Sequence, residues 1–184
     1  MTRLFIFLLM FTIVHTAPGG VALAQSKVVW SFNAMAAQSA GIPILRDLHV
    51  SSHGTVRFKD NRTGNITLIC PITDDLDGAS LRSLRLTYRD GDGRQGPSLV
   101  SAVIRRVRRS DGHIATLPNG KVSSNDANAP NSGPTGWKTH QSGSPSNVLS
   151  HVLDLTNFYY FVQINLKRTD GAAPLGVMGV HLIN

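Results

Sequence analysis

The sequence predicts an all-β fold, an antiparallel β-sandwich of the Greek-key or jelly-roll kind with about eight strands. Three observations predict it. Apolar residues recur at every second position in run after run, the mark of strands with one buried face. Asp-Gly, Asn-Gly and similar pairs separate the runs and suit tight hairpin turns. The chain also lacks glutamate: all 11 acidic residues are aspartate, and arginine outnumbers lysine, so helix-favouring side chains are scarce.

The N-terminal segment stands apart from this pattern. Arg3 precedes Leu4–Val14, an 11-residue run that is apolar except for Thr12, and Ala22 and Ala24 follow in A-x-A positions before Gln25. This is the layout of a cleavable secretory signal peptide. A membrane-spanning helix needs about 20 apolar residues, and no stretch of the chain has them. Residues 1–24 are therefore expected to be removed, leaving 184 − 24 = 160 residues as one domain. The expected location is periplasmic or extracellular, with no lipid anchor, because no cysteine lies near the cleavage point.

Val28, Trp30 and Phe32 alternate in the first run. An Ala-rich stretch, Asn33–Pro43, is the one helix candidate and is good for a turn or two. Val56 and Phe58 mark a second strand. Asn61–Thr63 and Asn65–Thr67 are N-x-T sequons, glycan acceptors if the source is eukaryotic. Ile66, Leu68, Cys70 and Ile72 share one parity. Leu84, Leu86 and Tyr88 follow, with Arg82, Arg85 and Arg89 in the polar part of the run. Val100, Ala102 and Ile104 lead into Arg105, Arg106, Arg108 and Arg109. Residues 119–147 are rich in Gly, Ser, Asn and Pro around a lone Trp137 and read as a long loop. Phe158, Tyr160, Val162, Ile164 and Leu166 form the longest alternating run. Leu175–Ile183 closes the chain as a strand that its glycines weaken or bulge.

Function is less legible. The residues Cys70, His49 and His53 invite chemistry, and their settings argue against it. Cys70 is the only cysteine, so no disulfide framework or C-x-x-C pair exists, and its parity places it on the apolar face. His49 and His53 have an i, i+4 spacing, but in extended chain that separates them by about 13 Å, too far for one metal ion. Without glutamate no HExxH motif is available. No G-x-S-x-G elbow, phosphate-binding loop or dinucleotide fingerprint occurs. Asp74, Asp75 and Asp77 form a candidate calcium site, although the loop departs from the EF-hand spacing and reads first as a turn. No other cofactor is expected.

Binding is the better expectation. The chain carries a formal net charge of +7, or +6 after removal of Arg3 with the signal segment. Arg105, Arg106, Arg108 and Arg109, together with Trp137, are the candidate ligand-binding residues. Guanidinium groups hold carboxylate, sulfate and phosphate bidentately. With Arg82, Arg85 and Arg89 on a neighbouring run, they are expected to line one sheet face. No aromatic residues interleave with them, so specific nucleic-acid binding is not expected. The expected role is a non-enzymatic envelope or secreted binding module, with an anionic surface or glycan as its partner. One alternative is a secreted hydrolase using aspartate and histidine. The other is a structural subunit, such as a homodimer, assembling through edge strands or Cys70.

Overall fold

The structure, a computed structural model, describes residues 27–33, 38–39, 47–52, 54–94, 96–130, 136–142, 148–171 and 173–184. The expected signal segment 1–24 lies outside the described residues, as does most of the Asn33–Pro43 helix candidate. Its described residues are extended: Asn33 ends a strand, and Gln38–Ser39 pairs with Ile69 and Leu68. There strand pairing overrides local preference.

Among the described residues the strands are β1 (Val28–Asn33), β2 (Gln38–Ser39), β3 (Leu48–Val50), β4 (Val56–Phe58), β5 (Gly64–Pro71), β6 (Ser80–Leu81), β7 (Ser83–Asp90), β8 (Leu99–Arg108), β9 (Ile114–Ser123), β10 (Lys138–Gln141), β11 (His151–Val152), β12 (Phe158–Arg168) and β13 (Leu175–Ile183). All pair antiparallel. One six-stranded sheet runs β10-β7-β13-β4-β3, with β1 also on β13. A five-stranded sheet runs β2-β5-β12-β8-β9, and β11 pairs with β6. The expected all-β antiparallel sandwich is what forms. Its strands exceed the expected eight because β2, β3, β6, β10 and β11 span only two to four residues each, too few to show alternation.

The inward parities of both sheets meet in one core. Leu68, Cys70, Leu84, Leu86, Tyr88, Val100, Ile104, Val162, Ile164, Leu166, Val180 and Leu182 all belong to it and are fully enclosed. Burial pushes the Cys70 thiol up to about 12. An enclosed, protonated thiol has neither the nucleophile nor the access that disulfide exchange requires.

Two stretches differ from expectation for reasons of pairing. "LPNGK" reads as a hairpin turn, yet Leu117–Lys121 lies inside β9. Thr116 faces Arg105 and Lys121 faces Val103, so the extra residues form a bulge, with Asn119 at φ 57°. The chain around "SDGH" makes the β8–β9 turn instead, with Gly112 at φ 71°. The expected loop 119–147 is likewise strand at residues 119–123 and again at β10, where Lys138–Gln141 pairs with Tyr88–Arg85.

The inward parity of β7 ends on a charge. Asp90 follows Tyr88 on the buried side and is 1% exposed. Ser124 Oγ donates to Asp90 Oδ2, and Val100 N donates to Ser124 Oγ at 3.1 Å. Burial, reinforced by the neighbouring Asp92 carboxyl, pushes Asp90 up to about 7 against the opposing hydrogen bond from Ser124. The unfolded carboxyl ionises near 3.8, so the unfolded chain gives up its proton first. Asp90's contribution to stability is therefore complete below that value and is lost as pH rises to about 7. Relative to Asp90→Asn, the wild-type chain should lose on the order of 2 kcal/mol between pH 5 and pH 8. Urea unfolding midpoints at the two pH values measure this; parallel pH profiles for the two proteins would contradict it.

Candidate binding site

A hollow of about 370 Å³ lies on the outer face of the six-stranded sheet. Its floor is a cross-strand row. Register places His49 opposite Arg57, Arg57 opposite Gly176, and Gly176 opposite Arg89. Arg57 and Arg89 thus stand on either side of β13, roughly 9–10 Å apart at two strand spacings. Gly176 leaves the space between them open. A Cβ there would sit 2.8 Å from Val56 O and 2.9 Å from Arg57 Cβ.

The walls follow from local chain behaviour. Between Val177 and Gly179 the β13–β7 register shifts, making Met178 the extra residue of a bulge, and Met178 lines the hollow. Bulges re-aim side chains in this way and are common beside functional sites. Ser51 and Thr55 come from the β3–β4 turn, where their hydroxyls pair at 2.7 Å. Pro174 enters from the β12–β13 connection, held by a bond from Gly91 N to Pro174 O at 2.8 Å. Trp137, half-buried just before β10, closes another side.

Arg168 supplies the rim. It is the last residue on the inward parity of β12 and only 3% exposed. Its Nη1 donates to Lys59 O at 2.8 Å, its Nε to Asp170 O at 3.0 Å, and its Nη2 to Gly171 O. The guanidinium also lies 6.0 Å from the Phe58 ring centroid. It clamps the β4–β5 and β12–β13 connections together and keeps the hollow's end in shape. Arg57, by contrast, is exposed and makes no hydrogen bond or ion pair among the described residues. One carboxylate, Asp60, also lines the hollow.

The residues singled out from the sequence do not converge on this hollow, although Arg108 and Arg109 line another of about 530 Å³ beside Phe158. Trp137 is in the 370 Å³ hollow. The arginine-lined face does not form as expected, because β7 and β8 belong to different sheets. Arg105 points outward from the five-stranded sheet opposite Phe161 and Thr116. Arg106 continues the core parity of β8 and stacks over Phe158 at 4.6 Å. Arg108 binds Asp111 at 2.9 Å. Arg109 lies over the exposed Tyr159 ring at 3.8 Å and 3.8 Å from Asp74 Oδ1. Asp74 and Asp75 are exposed in a 3-10 turn, and Asp77 Oδ1 instead accepts Leu155 N at 2.7 Å. Among the described residues no group of three or more His, Cys, Asp or Glu side chains converges as a metal site.

Sequence reasoning missed Arg57, Arg168 and Gly176. Arg168 had a signal: counting by twos from Phe158 runs straight onto it. Arg57 and Gly176 had none, because their proximity depends on the pairing of β4 with the chain's last strand.

No family model matches the chain, and no curated protein does. Among solved structures, a family 11 carbohydrate-binding module of a Clostridium thermocellum cellulosomal cellulase is 12% identical with TM-score 0.39, the match covering 85% of this chain and 93% of that one. The xylan-binding module CBM15 is 12% identical with TM-score 0.37, covering 86% and 95%. The Eiger TNF of S. frugiperda is 12% identical with TM-score 0.32, covering 74% and 90%. Proteins of such different roles match it with similar faintness, so the role of this chain rests on its own side chains.

The clamp makes a prediction. Arg168→Gln removes charged donors from three loop carbonyls and leaves a buried position without its fork, and should destabilise the fold by about 3 kcal/mol, at roughly 1–3 kcal/mol per lost bond. Arg168→Lys should recover only part, since one ammonium cannot reproduce the planar fork. Denaturant unfolding checks both; a variant within 0.5 kcal/mol of wild type, roughly the scale of a neutral surface change, would refute the clamp.

Proposed function

We propose that this protein is an exported, non-enzymatic binding module that holds a segment of an acidic glycan in the hollow on its six-stranded sheet. The observation that carries the reading is the Arg57–Gly176–Arg89 row in the same hollow as Trp137. A uronate or sulfated sugar offers a carboxylate or sulfate that matches a guanidinium fork. It also offers a face of C–H groups that packs on an aromatic ring, while Ser51 and Thr55 suit its hydroxyls. The volume lies within the usual range of small-molecule sites and fits one or two sugar rings. The open glycine floor lets a chain lie across the strands. The hollow holds groups for recognition rather than for bond cleavage, its one carboxylate, Asp60, being without a paired acid there.

Oligogalacturonate should quench or shift Trp137 fluorescence, and the apparent affinity should fall as salt rises from 50 to 500 mM. Arg57→Glu should weaken binding by about tenfold or more, the scale of one charge-assisted contact turned repulsive. Trp137→Ala should weaken it as well while leaving the fold intact. Equal affinity for a neutral oligosaccharide of the same length, or indifference to both substitutions, would reject the reading.

A further inference from the structure

A second cavity, of about 340 Å³, lies behind the β9 bulge at the side of the five-stranded sheet, away from the hollow just described. Leu117, Pro118 and Asn119 of the bulge line one side, Val148, Ser150 and His151 the other, and Arg106 reaches in from β8. The bulge makes this space: continuous pairing would lay β9 flat on β8 at that point.

The polar groups in it are differently committed. Asn119 Nδ2 donates to Val148 O at 3.4 Å, tying the bulge to the segment before β11. His151 Nε2 lies 3.0 Å from Tyr160 Oη, which fixes the imidazole. Arg106 rests on the Phe158 ring and makes no hydrogen bond or ion pair among the described residues. Its donors are therefore held in place, in a cavity, with no internal acceptor. Burial and the Arg106 charge lower the His151 pKa, against the smaller pull of Asp154. The imidazole is thus neutral at pH 7, and the cavity presents a single positive charge. Leu117, Pro118 and Val148 give it an apolar wall.

We propose that this cavity is a second ligand site, taking a small organic monocarboxylate whose carboxylate pairs with the Arg106 guanidinium and whose apolar body lies against Leu117, Pro118 and Val148. One cation and an apolar wall favour such a ligand over a dianionic phosphate or a polyol. The site is separate in residues and in sheet from the Arg57 hollow, so the two are occupied independently. The charged and titratable groups facing His151 are Arg106 from β8, Asp154 from the segment before β12 and the Tyr160 hydroxyl from β12. Protonation of His151 in acid adds a second positive charge, so carboxylate binding tightens as pH falls, for as long as the ligand itself stays ionised.

Butyrate titrated into the full chain, followed by amide NMR shifts, tests this. Saturable shifts should appear at Asn119 and at residues 148–151, and not at Arg57 or Gly176. Affinity should be higher in acid, below the ordinary imidazole range, than at pH 7.5, as long as butyrate stays ionised. Arg106→Gln should abolish the shifts, and His151→Gln should leave binding at pH 7.5 while removing its pH dependence. Ser150→Tyr, at an exposed position, should block the cavity without touching Arg106 and guards against a folding artefact in Arg106→Gln. The proposal is overturned by matching shifts with n-butanol, by shifts confined to the Arg57 hollow, or by butyrate binding that survives both Arg106→Gln and Ser150→Tyr. Stronger displacement of these amides by inorganic phosphate than by butyrate would overturn the ligand class.

Discussion

A β-strand gives each side chain only two destinations, core or solvent, and the choice alternates without exception until the register is broken. The molecule depends on that constraint twice. It builds the core from Leu84, Leu86 and Tyr88 on β7, Val100, Ala102 and Ile104 on β8, and Tyr160 through Leu166 on β12. It also carries the inward parity past the end of each apolar run, where the next residue on the same side is charged: Asp90 on β7, Arg106 on β8 and Arg168 on β12. None of the three can turn away without disturbing the apolar residues behind it.

Each charge meets that confinement differently. Arg168 is satisfied by loop carbonyls and so ties connections together. Asp90 takes one hydroxyl and lies beside another carboxyl, so the cheaper course is to retain a proton. Arg106 reaches beyond the apolar layer, where the Phe158 ring supports its face and leaves its edge open. The one way out of strict alternation is an extra residue. Both cavities arise at such places, at Met178 on β13 and at Leu117–Gly120 on β9.

The extent to which the sequence revealed this follows the same physics. Long strands with one buried face were readable because alternation is local, and so was the closing strand's irregularity, from Gly176 and Gly179. Of the two- to four-residue strands only Val56–Phe58 was readable, since the pairing of the others comes from partners remote in sequence. "LPNGK" has the chemistry of a turn, and only the continuous β8 beside it shows that the chain there bulges instead of reversing. The arginine face failed for a topological reason: β7 and β8 are consecutive but enter different sheets. Trp137 was legible as an isolated aromatic in a polar stretch. Its companions Arg57, Arg89 and Gly176 come from three strands brought together by the chain's final segment, and no spacing encodes that.

The excess of positive charge is similarly misleading when treated as a whole. A basic chain suggests a diffuse attraction to anything anionic, but most of the guanidiniums among the described residues have internal acceptors or rings. Arg168 is held by three carbonyls, Arg108 by Asp111, Arg109 by Tyr159 and Asp74, and Arg85 by Gln141 at 3.1 Å. Those contacts fix the orientation of each group and occupy part of its set of five donors. Arg57 and Arg106 have no such contact to surrender beyond the ring under Arg106, and each lines a cavity that a strand bulge has opened. On the proposed reading the net charge acts through two local sites rather than a diffuse basic surface, and selectivity in each would be set by what lies beside the guanidinium: an indole and hydroxyls in one, an aliphatic wall and a neutral imidazole in the other.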